Sequence, residues 1–452
     1  MASVDRMDHY LENHLQENLQ EFARLVAQPS VAAQNWGLKE CAQLVAEMLH
    51  KRGFDVSVQP TGGAPVVFAE RMGHSNRTLL FYNHYDVQPA EPLELWDNPP
   101  FAPVIKDGLM YGRGINDDKG HLTSRLFALD ALLEENGELP CNVKFIIEGE
   151  EEVSSAHLHE YVTENTDQLK AEACIWEFGG VDHRDHPMQY LGLRGICYVE
   201  LSVETANQDV HSGLGGSIFP NAAWRLVWAL STLKGEDERI LIPGFYDHIR
   251  PPSERDIELF NAMPDMSEEY RQRYKLNHFL NGLQGGTELN IAEVFRPTCT
   301  ICGLSAGYEG PGSKTVLPAR ASAKVDFRLV PDQTPEEVLA LLRAHLDAQG
   351  FSDIKIQYWG GEAPSRTDPD DPFVKLVVET AADVYGMPMQ MVPMVGGSGP
   401  NHIFQEALRI PIVTAGLGYP GGLAHAPNEN IRIDLYLKAA KHIVRILNAF
   451  AG

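Results

Sequence analysis

The sequence predicts an α/β protein with a mostly parallel central sheet flanked by helices, interrupted by an inserted α+β domain with an antiparallel sheet. Three observations carry this. Short, wholly apolar runs of strand length, such as 143–147 and 173–176, alternate with segments of helical periodicity, the pattern of a sheet covered on both faces. Near Leu191 the texture changes, and 196–203 alternates apolar and polar residues like a strand with one wet face. After turn-rich stretches at 360–364 and 368–372 the α/β texture returns. A chain of 452 residues is also too long for one ordinary core. The expected organisation is therefore one domain in two parts, 1–190 and 363–452, with a second domain at 191–362.

Leu11, Leu15, Leu19, Phe22 and Val26 recur at helical spacing, and Pro29 stops that helix. A second helix is expected over 38–49, with Gly53 just past its end. Strands follow at 54–58, 65–69 and 78–83. A glycine-bounded turn at 112–120 then leads into a helix reaching about Glu135. The strands 143–147 and 173–176 complete this part. Within the insertion, strands are expected at 196–203, 316–329 and 354–358, with helices at 221–233 and 335–348. The stretch 235–285 reads as polar, irregular and partly helical. Helix 373–385, strand 412–415 and helix 435–450 close the chain.

A net charge of −25 argues against nucleic acid or an acidic membrane surface as partner, because phosphate binding requires concentrated Lys and Arg. No apolar run is long enough to span a bilayer. The N-terminal stretch Met1-Ala2-Ser3-Val4-Asp5-Arg6 enters a polar amphipathic segment without a signal-peptide core. The six cysteines are scattered and read as free thiols, and Cys299 to Cys302 reads as strand, not as half of a metal site. A cytoplasmic location is expected.

The chemistry gathers at strand and loop ends. The strand 143–147 runs into Glu148-Gly149-Glu150-Glu151-Glu152, where crowded carboxylates repel unless a cation compensates them. His84 and Asp86 follow another strand and face the same way in extended chain, so one can ligate while the other orients it. Asp117 and Asp118 sit in the glycine-bounded turn, Glu177 ends a strand, and His425 sits in a glycine-rich loop. In a parallel sheet such strand ends share one edge. Two imidazoles and several carboxylates there suit one or two divalent ions that accept both N and O donors, such as zinc or manganese.

Taken together, His84-Tyr85-Asp86, Gly112-Arg113-Gly114-x-x-Asp117-Asp118-Lys119-Gly120 and Glu148-Gly149-Glu150-Glu151-Glu152 resemble the signature blocks of the co-catalytic di-metal exopeptidases. That family includes carnosinases, cytosolic non-specific dipeptidases, glutamate carboxypeptidases, acetylornithine deacetylase and succinyl-diaminopimelate desuccinylase. The carnosinase-type branch is the nearest, through Leu193 to Tyr198, Asp209 to Gly213, Gly312 to Val316, Phe327 to Pro331 and Gly396 to Ser398. The resemblance runs from about residue 80 to 430.

It implies a metallopeptidase catalytic domain with an inserted lid and dimerisation domain, and two divalent ions per subunit, Zn2+ first and Mn2+ second. His84 and Glu177 would hold one ion, Glu152 and His425 the other, and Asp117 both. Asp86 would orient His84, and Glu151 would be the general base. The Asp117–Asp118 peptide would be cis. His211 would reach across a homodimer interface to the substrate, Arg328 would bind a substrate carboxylate, and Ser398 would line the pocket. The implied reaction is hydrolysis of dipeptides or short peptides with a free C-terminal carboxylate. The alternatives are a carboxypeptidase or N-acyl-amino-acid deacylase and, more distantly, a catalytically silent peptide- or metal-binding homologue. Glu177 departs from the dipeptidases, which usually carry Asp there, and Ser154 stands where glycine is usual.

Overall fold

The computed structural model describes residues 3–452, so Met1 and Ala2 of the expected polar N-terminus lie outside it. The chain divides into two compact units. One comprises the residues up to Leu191 together with Thr367–Val392 and Ile403–Gly452; the other comprises Gly192–Arg366 and Pro393–His402.

The first unit begins with helices α1 (Ser3–Ala27) and α2 (Leu38–Lys51). Strands β1 (Asp55–Gln59), β2 (Val66–Arg71) and β3 (Ser75–His84) follow. Next come α3 (Lys119–Asn136), β4 (Cys141–Glu148) and β5 (Ala173–Trp176). The sheet runs β1-β2-β4-β3-β5 and is completed at the β5 edge by the late strand Ile412–Thr414. Pairing is parallel from β4 through β3 and β5 to that strand, and antiparallel on the β1–β2 side. Phe81, Phe145, Ile147 and Ile175 pack to one side with α3, while Tyr82, Ile146 and Trp176 pack to the other with Phe404. Burial on both faces explains why these strands are apolar throughout instead of alternating.

In the second unit, β6 (Gly195–Glu204) precedes helix α4 (Ala222–Ser231) and helix α5 (Gly286–Phe295). Strands β7 (Thr298–Ala306) and β8 (Arg320–Leu329), helix α6 (Pro335–Ala348) and β9 (Lys355–Glu362) follow. The antiparallel sheet has the order β7-β8-β6-β9. Strict alternation along β6 and β8 turns Cys197, Val199, Leu201, Val325 and Phe327 onto α4 and α6, whose Leu226, Ala229, Val338 and Leu342 close the core. The expected single strand 316–329 is two: Val316–Leu317 pairs with Val210–His211, and β8 starts afresh at Arg320. Pro318, with no N–H to give a ladder, falls between them.

Residues 393–402 belong with the second unit although the sequence places them after the linker. Val395 N donates to Gly192 O at 2.9 Å and Gly397 O accepts Arg194 N at 2.9 Å, so local backbone pairing holds them there. Two late helices finish the first unit: α7 (Pro372–Tyr385), with Asp371 capping its first turn, and α8 (Ile433–Ala451). Leu435, Tyr436, Ala439, Ile443, Ile446 and Phe450 give α8 one continuous buried face.

Candidate metal centre

Because β3, β4 and β5 run parallel, their C-terminal ends meet on one edge. His84 closes β3 and sits opposite Glu148, the last residue of β4. Glu148 itself is consumed structurally: its Oε1 accepts Tyr82 Oη at 2.6 Å and Ser155 Oγ at 2.8 Å. The next acids, Glu151 and Glu152, lie in a single tight turn after it. Glu177 directly follows β5. Ser154 closes the glutamate turn at φ +76°, which explains why glycine suits that position.

Asp117 comes from the turn between Tyr111 and α3, and its peptide bond to Asp118 is cis. The turn is fastened by a residue that no sequence motif marked. Glu429, wholly buried, accepts Gly114 N and Asn116 N at 2.8 Å, Asp117 N at 3.1 Å and the Arg113 guanidinium at 2.7 Å. Gly114 is required here, since its φ is +76° and a Cβ would meet Val87 Cγ1 at 2.2 Å.

Asp117 is the centre of the arrangement. Its Oδ1 lies 3.0 Å from His84 Nε2 and its Oδ2 lies 2.9 Å from His425 Nε2. His425 Nε2 is also 3.1 Å from Glu152 Oε2, and His84 Nε2 is 3.9 Å from Glu177 Oε2. Donor atoms of Asp117, Glu152 and His425 lie within 4.8 Å of one another, as do those of His84, Asp118 and Glu177. His425 itself takes φ +62°, a left-handed conformation uncommon for a side-chain-bearing residue.

Asp86 supports both halves. One carboxylate oxygen lies 3.3 Å from His84 Nδ1, which turns Nε2 toward Asp117. The same carboxylate accepts the backbone N–H groups of Glu151 at 3.3 Å and Glu152 at 3.0 Å. Gln88 Nε2 donates to Glu152 Oε2 at 2.8 Å.

Electrostatically the cluster carries too much negative charge for its burial. Burial pushes the Glu151 carboxyl up to about 8; Asp117, Glu152 and Asp86 raise it further and His84 opposes them. Burial, then Glu151, likewise drives Glu177 well above the usual carboxylate range. Asp117 goes the other way. Burial would raise it, but hydrogen bonds from His425 and His84 hold it far below. Burial works to lower His84, yet its bonds to Asp117 and Asp86 keep it protonated, and Asp117 and Glu152 lift His425 to about 10. Glu177 Oε2 and Asp118 Oδ1 are buried with no hydrogen-bond partner. Orphaned carboxyl oxygens beside the His84 imidazole fit a divalent cation.

Among the residues the sequence marked, His84, Asp86, Asp117, Glu151, Glu152, Glu177 and His425 all lie in the first unit. His211, Arg328 and Ser398 lie in the second. There Arg328 Nη1 donates to Ser398 Oγ at 2.9 Å. His211 is exposed, with Gly213 N donating to its Nδ1 at 3.0 Å and Thr315 Oγ1 3.2 Å from its Nε2. Asp118 is the second acid of the pair that the glycine-bounded turn offers in the sequence; Gln88 and Glu429 stand in no recognisable pattern.

Residues 80–449 match the profile of Peptidase family M20/M25/M40. The chain belongs to that family. As an M20 peptidase it is a metal-dependent hydrolase, and solved structures share its fold. An M20 family metallo-carboxypeptidase from Sulfolobus solfataricus, Sso-CP2, is 38% identical, with a TM-score of 0.91 over 96% of this chain and 99% of that one. The dipeptidase Dug1p of Saccharomyces cerevisiae is 25% identical, with a TM-score of 0.83 over 100% of this chain and 99% of its own. The Beta-Ala-His dipeptidase of Rattus norvegicus is 28% identical over 97% of this M20 chain and 94% of the relative.

Proposed function

We propose that this M20 peptidase hydrolyses the amide bond of dipeptides or short peptides that end in a free carboxylate, using two divalent ions. The observation that carries the reading is the Asp117 carboxylate, with one oxygen 3.0 Å from His84 and the other 2.9 Å from His425. His84 and Glu177 would hold one ion, Glu152 and His425 the other, and Asp117 would serve both. The mixed imidazole and carboxylate set favours Zn2+, with Mn2+ as the alternative. When bound, such ions polarise the scissile carbonyl and acidify water.

The chain's own residues do the rest. Asp86 fixes the tautomer of His84 and anchors the N–H groups of Glu151 and Glu152, so one carboxylate sets both a ligand and a base. Glu151, whose carboxyl sits high because of burial, would be drawn down and ionised by nearby cations, and as a carboxylate it can take a proton from the attacking water and give it to the leaving amine. Arg328, oriented by Ser398, offers a planar pair of donors to a substrate carboxylate. His211 would stabilise the oxyanion from the partner copy of a homodimer.

The relatives named dipeptidases support a dipeptide substrate. A carboxypeptidase or deacylase is the second reading, supported by the 38% identity to Sso-CP2 and by glutamate at position 177. A silent homologue finds no support, since neither base nor ligand is missing. Free thiols at all six cysteines fit a reducing, cytoplasmic setting. Among the described residues no helix is long and apolar enough to cross a membrane.

The test compares a free dipeptide with its N-acylated analogue, with defined metals added to chelator-stripped protein. Turnover should vanish on stripping, return with Zn2+ or Mn2+, and favour the free dipeptide. Preference for the acylated substrate would establish the second reading. Glu151→Gln should keep its metal while turnover falls by about 10²–10⁴-fold; wild-type turnover in that variant would remove Glu151 from the base role.

A further inference from the structure

Strands β3 and β5 end in the pair His84 and Glu177, yet the ladder between them stops short of both. It joins Leu79 to Ala173, Leu80 to Cys174 and Phe81 to Ile175, and goes no further. On the other side of β5 the ladder ends with Trp176 opposite Thr414. Glu177 therefore lies beyond both ladders, whereas His84 is still held by β4 through its pairing with Glu148.

One side chain spans the gap. Arg125, on α3 and only 1% exposed, turns Nη1 to Tyr82 O at 2.8 Å and Asn83 Oδ1 at 2.6 Å. Its Nη2 donates to Trp176 O and, at 3.2 Å, to Glu177 O. Asn83 relays the hold, because its Nδ2 donates to Asp118 Oδ2 at 2.5 Å, and the same oxygen accepts His84 N at 3.1 Å. A buried guanidinium carries a desolvation penalty that is offset only where its donors are used; here both terminal nitrogens are doubly used, and Nε alone finds no partner. These bonds reach neither Glu152 nor His425.

We propose that Arg125 is the positioning residue for one of the two metal positions: its fork sets the spacing of the β3 and β5 ends, and through it the separation of His84 and Glu177. The role rests on reading His84 and Glu177 as a metal pair. A lysine keeps the charge, but a single ammonium cannot bridge four acceptors on two strands.

The test counts and titrates Zn2+ on the full chain, by native mass spectrometry and by competition with a chelating dye. Wild type, Arg125→Lys, Glu177→Gln and the double variant are compared. Arg125→Lys should hold one ion with wild-type affinity and the other at least about tenfold more weakly, as losses behind a ligand typically do. In the Glu177→Gln background the same change should cost less than about twofold, since the group it positions is gone. Two ions held normally by Arg125→Lys, or both weakened alike, overturns the role. If wild type binds no second ion, or Glu177→Gln keeps both, the metal pair itself is wrong and the positioning role goes with it. Should Arg125→Lys not fold, Asn83→Ala removes the relay while leaving the guanidinium in place. It should weaken the same single ion, and normal binding of both ions by Asn83→Ala overturns the proposal.

Discussion

At the scale of single residues, the centre is a problem of charge before it is one of chemistry. Without cations the chain answers its crowded carboxylates by protonating both imidazoles and holding Glu151 and Glu177 high. Ligation needs those protons gone, so metal binding and proton release are one event. The sign follows: protons compete with the ions, so apparent Zn2+ affinity should rise as pH increases from about 6 to 8. Calorimetric titrations in buffers of different ionisation enthalpy should show at least one proton released per subunit near pH 7. Buffer-independent heats would show that the ions bind elsewhere. The proposed ligands stand out in the sequence because each sits at the end of an apolar strand or in a glycine-rich turn, where a charge has no packing reason to be. Arg125 and Glu429 were not legible. Each is a charged residue inside an ordinary-looking helix or loop, and only the folded chain reveals that most of its partners are backbone groups far away in sequence.

Elements were legible in proportion to how much one face decides them. The apolar strands and the helices with a continuous buried stripe fall where the periodicity puts them. The 316–329 run divides because Pro318 cannot supply the ladder, and 393–402 changes unit because backbone pairing with Gly192 and Arg194 outweighs its place in the chain. The packing of α7 on α8 carries a pH dependence of its own. His442 on α8 is buried, with Nε2 3.0 Å from Val377 O on α7, and burial pushes its imidazole down from 6.5 to about 4. The unfolded chain therefore binds a proton between those values that the folded chain refuses. Stability from this residue is complete above about 6.5 and falls as pH drops toward 4, by roughly 3 kcal/mol at the lower end. His442→Gln keeps a donor for Val377 and has no proton to gain. Its denaturant midpoint should change less between pH 7 and pH 4 than that of wild type, and equal slopes for the two proteins would assign the acid sensitivity to other groups.

At the scale of the whole molecule, the second unit presents an apolar surface that a lone soluble chain has little reason to keep. Trp224 and Trp228, one turn apart on α4 with ring centroids 5.8 Å apart, are 57% and 54% exposed, and Ile218 and Phe219 just before the helix are 71% and 48% exposed. Contiguous apolar patches of this kind usually mark an interface. A symmetric pair would cover the patch with itself, as a two-fold contact requires. It would also give His211, exposed in the same unit, a site on the partner to serve. Replacing both tryptophans with glutamate puts like charges face to face across such a contact. Trp224→Glu with Trp228→Glu should halve the mass measured by light scattering and leave two metal ions bound per chain, because every proposed ligand belongs to the first unit. Turnover should fall with the dimer if His211 acts from the partner. Mixing His211→Ala chains with Glu151→Gln chains should then restore part of the activity, since one mixed pairing rebuilds a complete site. A monomeric variant with full turnover would keep His211 out of catalysis while leaving the metal centre as described; an unchanged mass would leave the tryptophan face without a second copy to cover it.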